Sequence, residues 1–184
     1  MKKILKWTLI VVVSLVVLLG ALFAYVDHQN RTKSPSGTAV YDKNGTKITV
    51  EYSRPSKRDR VIFGGLVPYG VVWRTGANEA TTFETNKALT IGGKTLPAGK
   101  YTLWSIPEKD KWTVIWNGKQ YGWGVKSPFD QTASREPEAD VLQVQVAPQE
   151  GNDVVEQFTI SFDETSGLAL VIAWDKTKVA VPLQ

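Results

Sequence analysis

Cysteine is absent and histidine occurs once among the 184 residues. The first absence removes disulfides, thiol nucleophiles and thiolate metal sites. The second removes most triad, zinc and copper chemistry, which leans on imidazole. The one histidine, His28, lies in a polar stretch just after an apolar start and reads as a solvated linker residue. Familiar catalytic spacings are missing as well: no serine is followed three places on by lysine, and there is no G-x-S-x-G elbow or acidic calcium loop. Gly92-Gly93-Lys94-Thr95 ends like a phosphate loop, but Ala88 stands where its first glycine belongs. Gly122-x-Gly124 fails in the same way, with Ser127 in the third glycine position. No cofactor and no metal are expected. With the commonest bases and nucleophiles gone, the balance tilts toward binding rather than catalysis.

Long-range charge of one sign is also lacking. The formal charge of +4 and the pI near 9.2 belong to the N-terminal end, because residues 34–184 hold 17 basic and 17 acidic side chains. A neutral body offers no surface for a phosphate backbone, so nucleic acid is not an expected partner. Helical periodicity is absent outside the first residues.

Trp7 to Val26 is an uncharged run preceded by Lys2, Lys3 and Lys6. As a helix it has the length to cross a hydrocarbon core of about 30 Å. The basic residues before it place the N-terminus in the cytoplasm and the rest of the chain outside, facing periplasm or exterior. A cleaved signal peptide is the competing expectation, but its apolar region is shorter and ends in a small-x-small site. Ala21 and Ala24 are preceded two places earlier by Leu19 and Leu22, which fit poorly. The expected organisation is a basic start (1–6), a transmembrane anchor (7–26), a flexible linker (27–37) and a β domain (38–184). The partner implied by the first part is the cell membrane.

Beyond the linker, Ile48, Val50 and Tyr52 alternate with Lys47, Thr49 and Glu51, the pattern of a half-buried strand. The alternation returns at Trp112, Val114 and Trp116, at Leu142, Val144 and Val146, at Phe158, Ile160 and Phe162, and at Val179, Val181 and Leu183. Hairpin signals separate the runs: Lys43-Asn44-Gly45, Gly92-Gly93, Asn117-Gly118, Thr165-Ser166-Gly167 and Asp175-Lys176-Thr177, with a Pro97-containing turn at 96–99. These predict an antiparallel all-β fold, a sandwich or flattened barrel. The wholly apolar run 168–174 is expected as its central strand.

Two stretches break the rhythm. Tyr52 to Thr81 carries Arg54, Lys57, Arg58, Arg60 and Arg74 together with Tyr69 and Trp73; Lys119 to Glu138 contains the YGWG and SPFD segments. Long loops in compact domains are usually functional, and two of them meeting at one rim would make a natural pocket. Candidate ligand-binding residues are Arg54, Arg58, Tyr69, Trp73, Arg74, Asn78, Glu79 and Trp123. Glu79 sits where it serves either as a general base or as an ion-pair partner that pins the loop. Asn78 suits the capping of a turn. The Arg54–Arg60 cluster suits a small anion or is simply a solvated face. The aromatics suit sugar or peptide platforms or core filling, with glycine-flanked Trp123 expected to be exposed.

SRPSKRDRVIFGGLVPYGVVWRTGANEATTF (53–83), IGGKTLPAGKYTLWSIP (91–107) and VEQFTISF (155–162) together resemble the bacterial family of domains of unknown function 2911. The resemblance covers about residues 38–184. It implies an exported domain, carries over no catalytic residue, and marks the 53–82 segment as part of a shared pattern. Two classes of function follow from the residues. One is a membrane-tethered module that binds a small anionic, glycan or peptide ligand. The other is a hydrolase using Glu79 with Arg74 as an anion clamp, and a purely structural envelope protein stands behind both.

Overall fold

A computed structural model describes residues 2–127 and 130–184, as two compact units, Met1–Lys33 and Ser34–Gln184. Pro128 and Phe129 of the SPFD segment lie outside the described residues.

The first unit is one helix, α1 (Lys2–Lys33), long and apolar enough to cross a membrane. It runs further than the uncharged stretch. Residues 27–33, expected as flexible linker, are helical, and strand begins at Ser36, so only Ser34 and Pro35 lie between. The extension has local causes. Arg31 Nε donates to Asp27 Oδ2 at 2.9 Å, one turn back, and Arg31 and Lys33 place positive charge at the negative end of the helix dipole. Pro35 then bars the α conformation at Ser34.

The second unit is an antiparallel sandwich. One layer has the order β1 (Ser36–Lys43), β2 (Thr46–Ser53), β3 (Thr82–Thr85), β6 (Gly99–Pro107), β7 (Trp112–Asn117), β8 (Asp140–Val146). The other is built from β9 (Gln149–Asp163), β10 (Ala169–Pro182) and the small hairpin of β4 (Leu89–Ile91) and β5 (Lys94–Leu96). Asn44 and Gly45 (φ 54° and 71°) and Gly92 and Gly93 (58° and 75°) supply the paired left-handed residues that tight hairpins need.

The β10 run does not stay straight. Leu183 N–H donates to Leu168 C=O at 2.8 Å. Fifteen extended residues would hold those groups about 50 Å apart. The chain therefore doubles back within the run, and left-handed Asp175 (φ 54°), where the pairing register with β9 jumps on both sides, marks the place. Thr90 and Gln184 then exchange backbone hydrogen bonds and join the returning segment to β4. Residues 169–173 pair with β9, and Leu168 meets the returning end of the chain. Leu170, Ile172, Trp174, Val179 and Val181 are all buried in the core between the layers.

β6 and β7 are covered on both faces. Tyr101, Leu103, Trp112, Val114 and Trp116 point into the main core. On the opposite face Trp104 and Ile115, both fully buried, form a second small core with Ala80, flanked by Val72, Ile106, Tyr121 and Ala133. Every element of that cover other than Ile106 comes from the two irregular stretches. Asn117-Gly118, expected to close a hairpin, does not: the chain passes through 119–139 before β8 pairs with β7.

A sheet with only one buried face would tolerate loss of Trp104. Here Trp104→Ala is expected to destabilise the β domain by roughly 3–5 kcal/mol, as much as Trp112→Ala on the main-core face. Urea unfolding of residues 34–184 checks this; a loss below 1 kcal/mol for Trp104→Ala alone would contradict the two-sided packing.

Candidate functional site

The first irregular stretch is laid along the edge of β6 that β3 leaves free. Leu103 N–H donates to Thr81 C=O, and Trp73 and Ser105 exchange backbone bonds at 2.7 and 3.0 Å. Between them residues 74–80 form a tight excursion. Thr81 Oγ1 donates to Thr75 C=O at 2.7 Å, Trp73 Nε1 donates to Gly76 C=O at 2.9 Å, and the Thr75 and Ser105 hydroxyls lie 3.0 Å apart. Thr75 (φ 52°) and Asn78 (φ 56°) take the left-handed conformation, which for a buried, β-branched threonine is strained.

The second stretch docks on this excursion. Ala80 N–H donates to Gly122 C=O at 3.0 Å and Gly124 N–H to Asn78 C=O at 3.3 Å, so that Glu79 and Trp123 face each other as a bridge. The arginine side chain of residue 74 lies across Gly124: a β-carbon there would come within 2.7 Å of Arg74 Cδ. Burial disfavours the Arg74 charge and lowers its pKa, and the Glu79 carboxylate opposes that shift. Arg74 Nη1 is buried without a hydrogen-bond partner, and so is Ser134 Oγ, on the strand of chain whose amide donates to Gly124 C=O. Two buried polar atoms left unsatisfied around one glycine is the kind of local cost that accompanies sites.

An open cleft of about 680 Å³ adjoins this seam, with Tyr121, Trp123, Lys126 and Ser134 in its wall. Trp123 is 38% exposed, as its glycine neighbours suggested. The cleft is braced by a polar hub. Asn117 Nδ2 donates to Glu136 C=O and to Asp140 Oδ1, both at 2.8 Å, and its Oδ1 accepts from Lys119 N–H and from the Tyr121 hydroxyl. Arg135 makes a forked pair with Asp140 in which both side chains are nearly buried. Lys119 pairs with Glu136. Among the described residues no three acidic or imidazole side chains gather to hold a metal ion.

The candidates read from the sequence therefore divide. Arg74, Asn78, Glu79 and Trp123 come together at the seam. Asn78 does not cap a turn through its side chain; it is itself the left-handed turn residue, and its Nδ2 donates to Ser34 C=O at 3.2 Å. Trp73 belongs to the core, packed on Phe63, Trp112, Phe158 and Trp174 at centroid distances of 5.1–6.3 Å. Arg54 is turned to β9, donating to Phe158 C=O and Thr159 Oγ1. Arg58 is exposed, with its amide on the Glu156 carboxylate. Tyr69 lines a separate groove of about 230 Å³ with Phe63 and Trp112. Asn117, Ser134, Arg135 and Asp140 carry no local sequence signal of a site; the Asn-Gly pair at 117–118 signals only a turn.

A family model described as proteins of unknown function, DUF2911, matches residues 34–183. The chain belongs to this family. The match covers the whole sandwich, both irregular stretches included, and leaves out α1. No curated protein and no solved structure matches the chain. Within the DUF2911 domain Arg74 and the hub around Asn117 lie by the second small core, while the strained Thr75 meets Ser105 at the edge of β6.

Burial alone would raise the Asp140 pKa, but hydrogen bonds from Arg135, Asn117 and Gln143 outweigh it and hold the carboxyl below its ordinary value. A depressed folded-state pKa contributes stability that is full above the unfolded value, about 4, and is lost as pH falls through the folded one. Asp140→Asn is therefore expected to lower Tm near neutrality and to narrow its deficit against the wild type below about pH 4. Equal pH slopes for the two proteins in thermal melts would contradict the assignment.

Proposed function

We propose that this chain is a membrane-tethered binding module that takes a polyhydroxylated, glycan-like ligand in the cleft beside Trp123. The apolar α1, with Lys2, Lys3 and Lys6 in its first turns, supports a single-pass anchor with a cytoplasmic N-terminus and the DUF2911 domain outside. The observation that carries the ligand class is Trp123, an indole held open by two glycines on a cleft where Lys119 is paired with Glu136 and Arg135 with Asp140, beside Lys126 and Glu138. An aromatic face among polar side chains of both charges suits sugar rings, whose C–H faces stack and whose hydroxyls hydrogen-bond. The hydrolytic alternative gains nothing from the geometry, because Glu79 is bridged to Trp123 through its backbone and its charge supports the Arg74 guanidinium.

Fluorescence titration of the full chain in detergent with N-acetylglucosamine oligomers and soluble peptidoglycan fragments tests this. A saturable change is expected with at least one, weakened about tenfold, or 1.4 kcal/mol, in Trp123→Ala. Titration curves flat for every glycan, or binding unchanged by Trp123→Ala, would overturn the proposal.

A further inference from the structure

The segment 58–71 is a second feature that the binding cleft does not use. Val61, Leu66, Tyr69 and Val71 are 70%, 47%, 39% and 50% exposed, an unusual density of bare apolar side chains for one loop. The loop is not loose. Leu66 and Val67 amides donate to the Val61 and Ile62 carbonyls at 3.0 and 2.9 Å, Gly64 N–H donates to Val67 C=O at 2.9 Å, and the Tyr69 ring lies against Gly64. Ile62 and Val67 are buried, so the loop is nailed to the core and turns its remaining apolar residues outward. Arg58 and Arg60 stand exposed at its base, and Lys109 and Lys176 line the groove beside Tyr69. Asp59, Glu108 and Glu150 offset part of that charge.

We propose that this loop is a second membrane contact, which inserts Val61, Leu66 and Val71 shallowly into an anionic lipid surface while Arg58 and Arg60 meet the phosphates. Apolar side chains beside cations, with a tyrosine at the boundary, match the chemistry of the lipid–water interface. The inference rests on α1 as a membrane span. Only Ser34 and Pro35 separate that helix from β1, so the domain is held at high effective concentration next to the bilayer and weak insertion suffices.

The absence of cysteine makes labelling direct. Leu66→Cys and, as a control at the other end of β7, Val141→Cys are each labelled with an environment-sensitive fluorophore in the full chain. Each is reconstituted into phosphatidylcholine vesicles with and without phosphatidylglycerol. Both proteins are expected to float with the vesicles. The label at 66, but not at 141, is expected to shift to the blue and be quenched by spin-labelled lipid, more strongly with phosphatidylglycerol. Arg58→Glu with Arg60→Glu is expected to remove that lipid dependence. Flotation with a water-like label at 66 in both lipids overturns the loop contact and leaves the anchor standing. Failure to float removes the anchor and the loop contact together, while glycan binding is unaffected.

Discussion

Two backbone hydrogen bonds, from Ala80 to Gly122 and from Gly124 to Asn78, hold together parts of the chain more than 40 residues apart and make the outer face of β6 and β7 a second interior. Without them Trp104 and Ile115 would face water. Bonds of this type contribute only about 1 kcal/mol each on balance, so their importance is geometric. They fix where the apolar cover sits, and the cover then contributes through burial. The same seam turns Trp123 outward and closes Arg74 inward, so that packing and site share one cause.

Glycine recurs where large side chains must be seated. A β-carbon at Gly37, Gly64 or Gly124 would stand 2.5–2.7 Å from Arg54, Tyr69 or Arg74 respectively. Each of these side chains is a candidate for ligand contact read from the sequence, and each rests on bare backbone. For Arg54 the result is structural, because its donors are taken by β9. For Arg74 one nitrogen is left over in a dry place, beside two residues in left-handed conformations. On this stretch Arg58 (φ 52°) is left-handed too, but it is exposed, whereas Thr75 is strained where it is buried.

Strand positions were largely legible because each half-buried strand must alternate, as Ile48, Val50 and Tyr52 do, and because the tight turns demand Asn-Gly or Gly-Gly. The apolar run 168–174 was legible as a buried strand for the complementary reason that it has no polar face, although its strand neighbour is β9 alone and not one on each side as a central strand has. Less visible was anything requiring knowledge of what lies across the sheet. Trp104 and Trp112 look alike in sequence, yet they pack into different cores. The convergence of 74–80 with 122–124 depends on pairing at long range, which no local pattern encodes. Asn117 read as a turn because its amide is short and polar; the structure uses the same property to bind Glu136, Asp140 and Lys119 at once. The helical continuation through residues 27–33 was hidden by polarity, which an i,i+4 ion pair and the dipole render harmless.

The seam is a folded, cooperative part of the domain and not a loop resting on it. Native-state hydrogen exchange at the Ala80 and Gly124 amides measures this directly. Exchange of both through the same opening that frees Leu103 and Trp116 in the central strands is the result expected here. Exchange of Ala80 and Gly124 at the rates of exposed loops, while those strands stay protected, would contradict it.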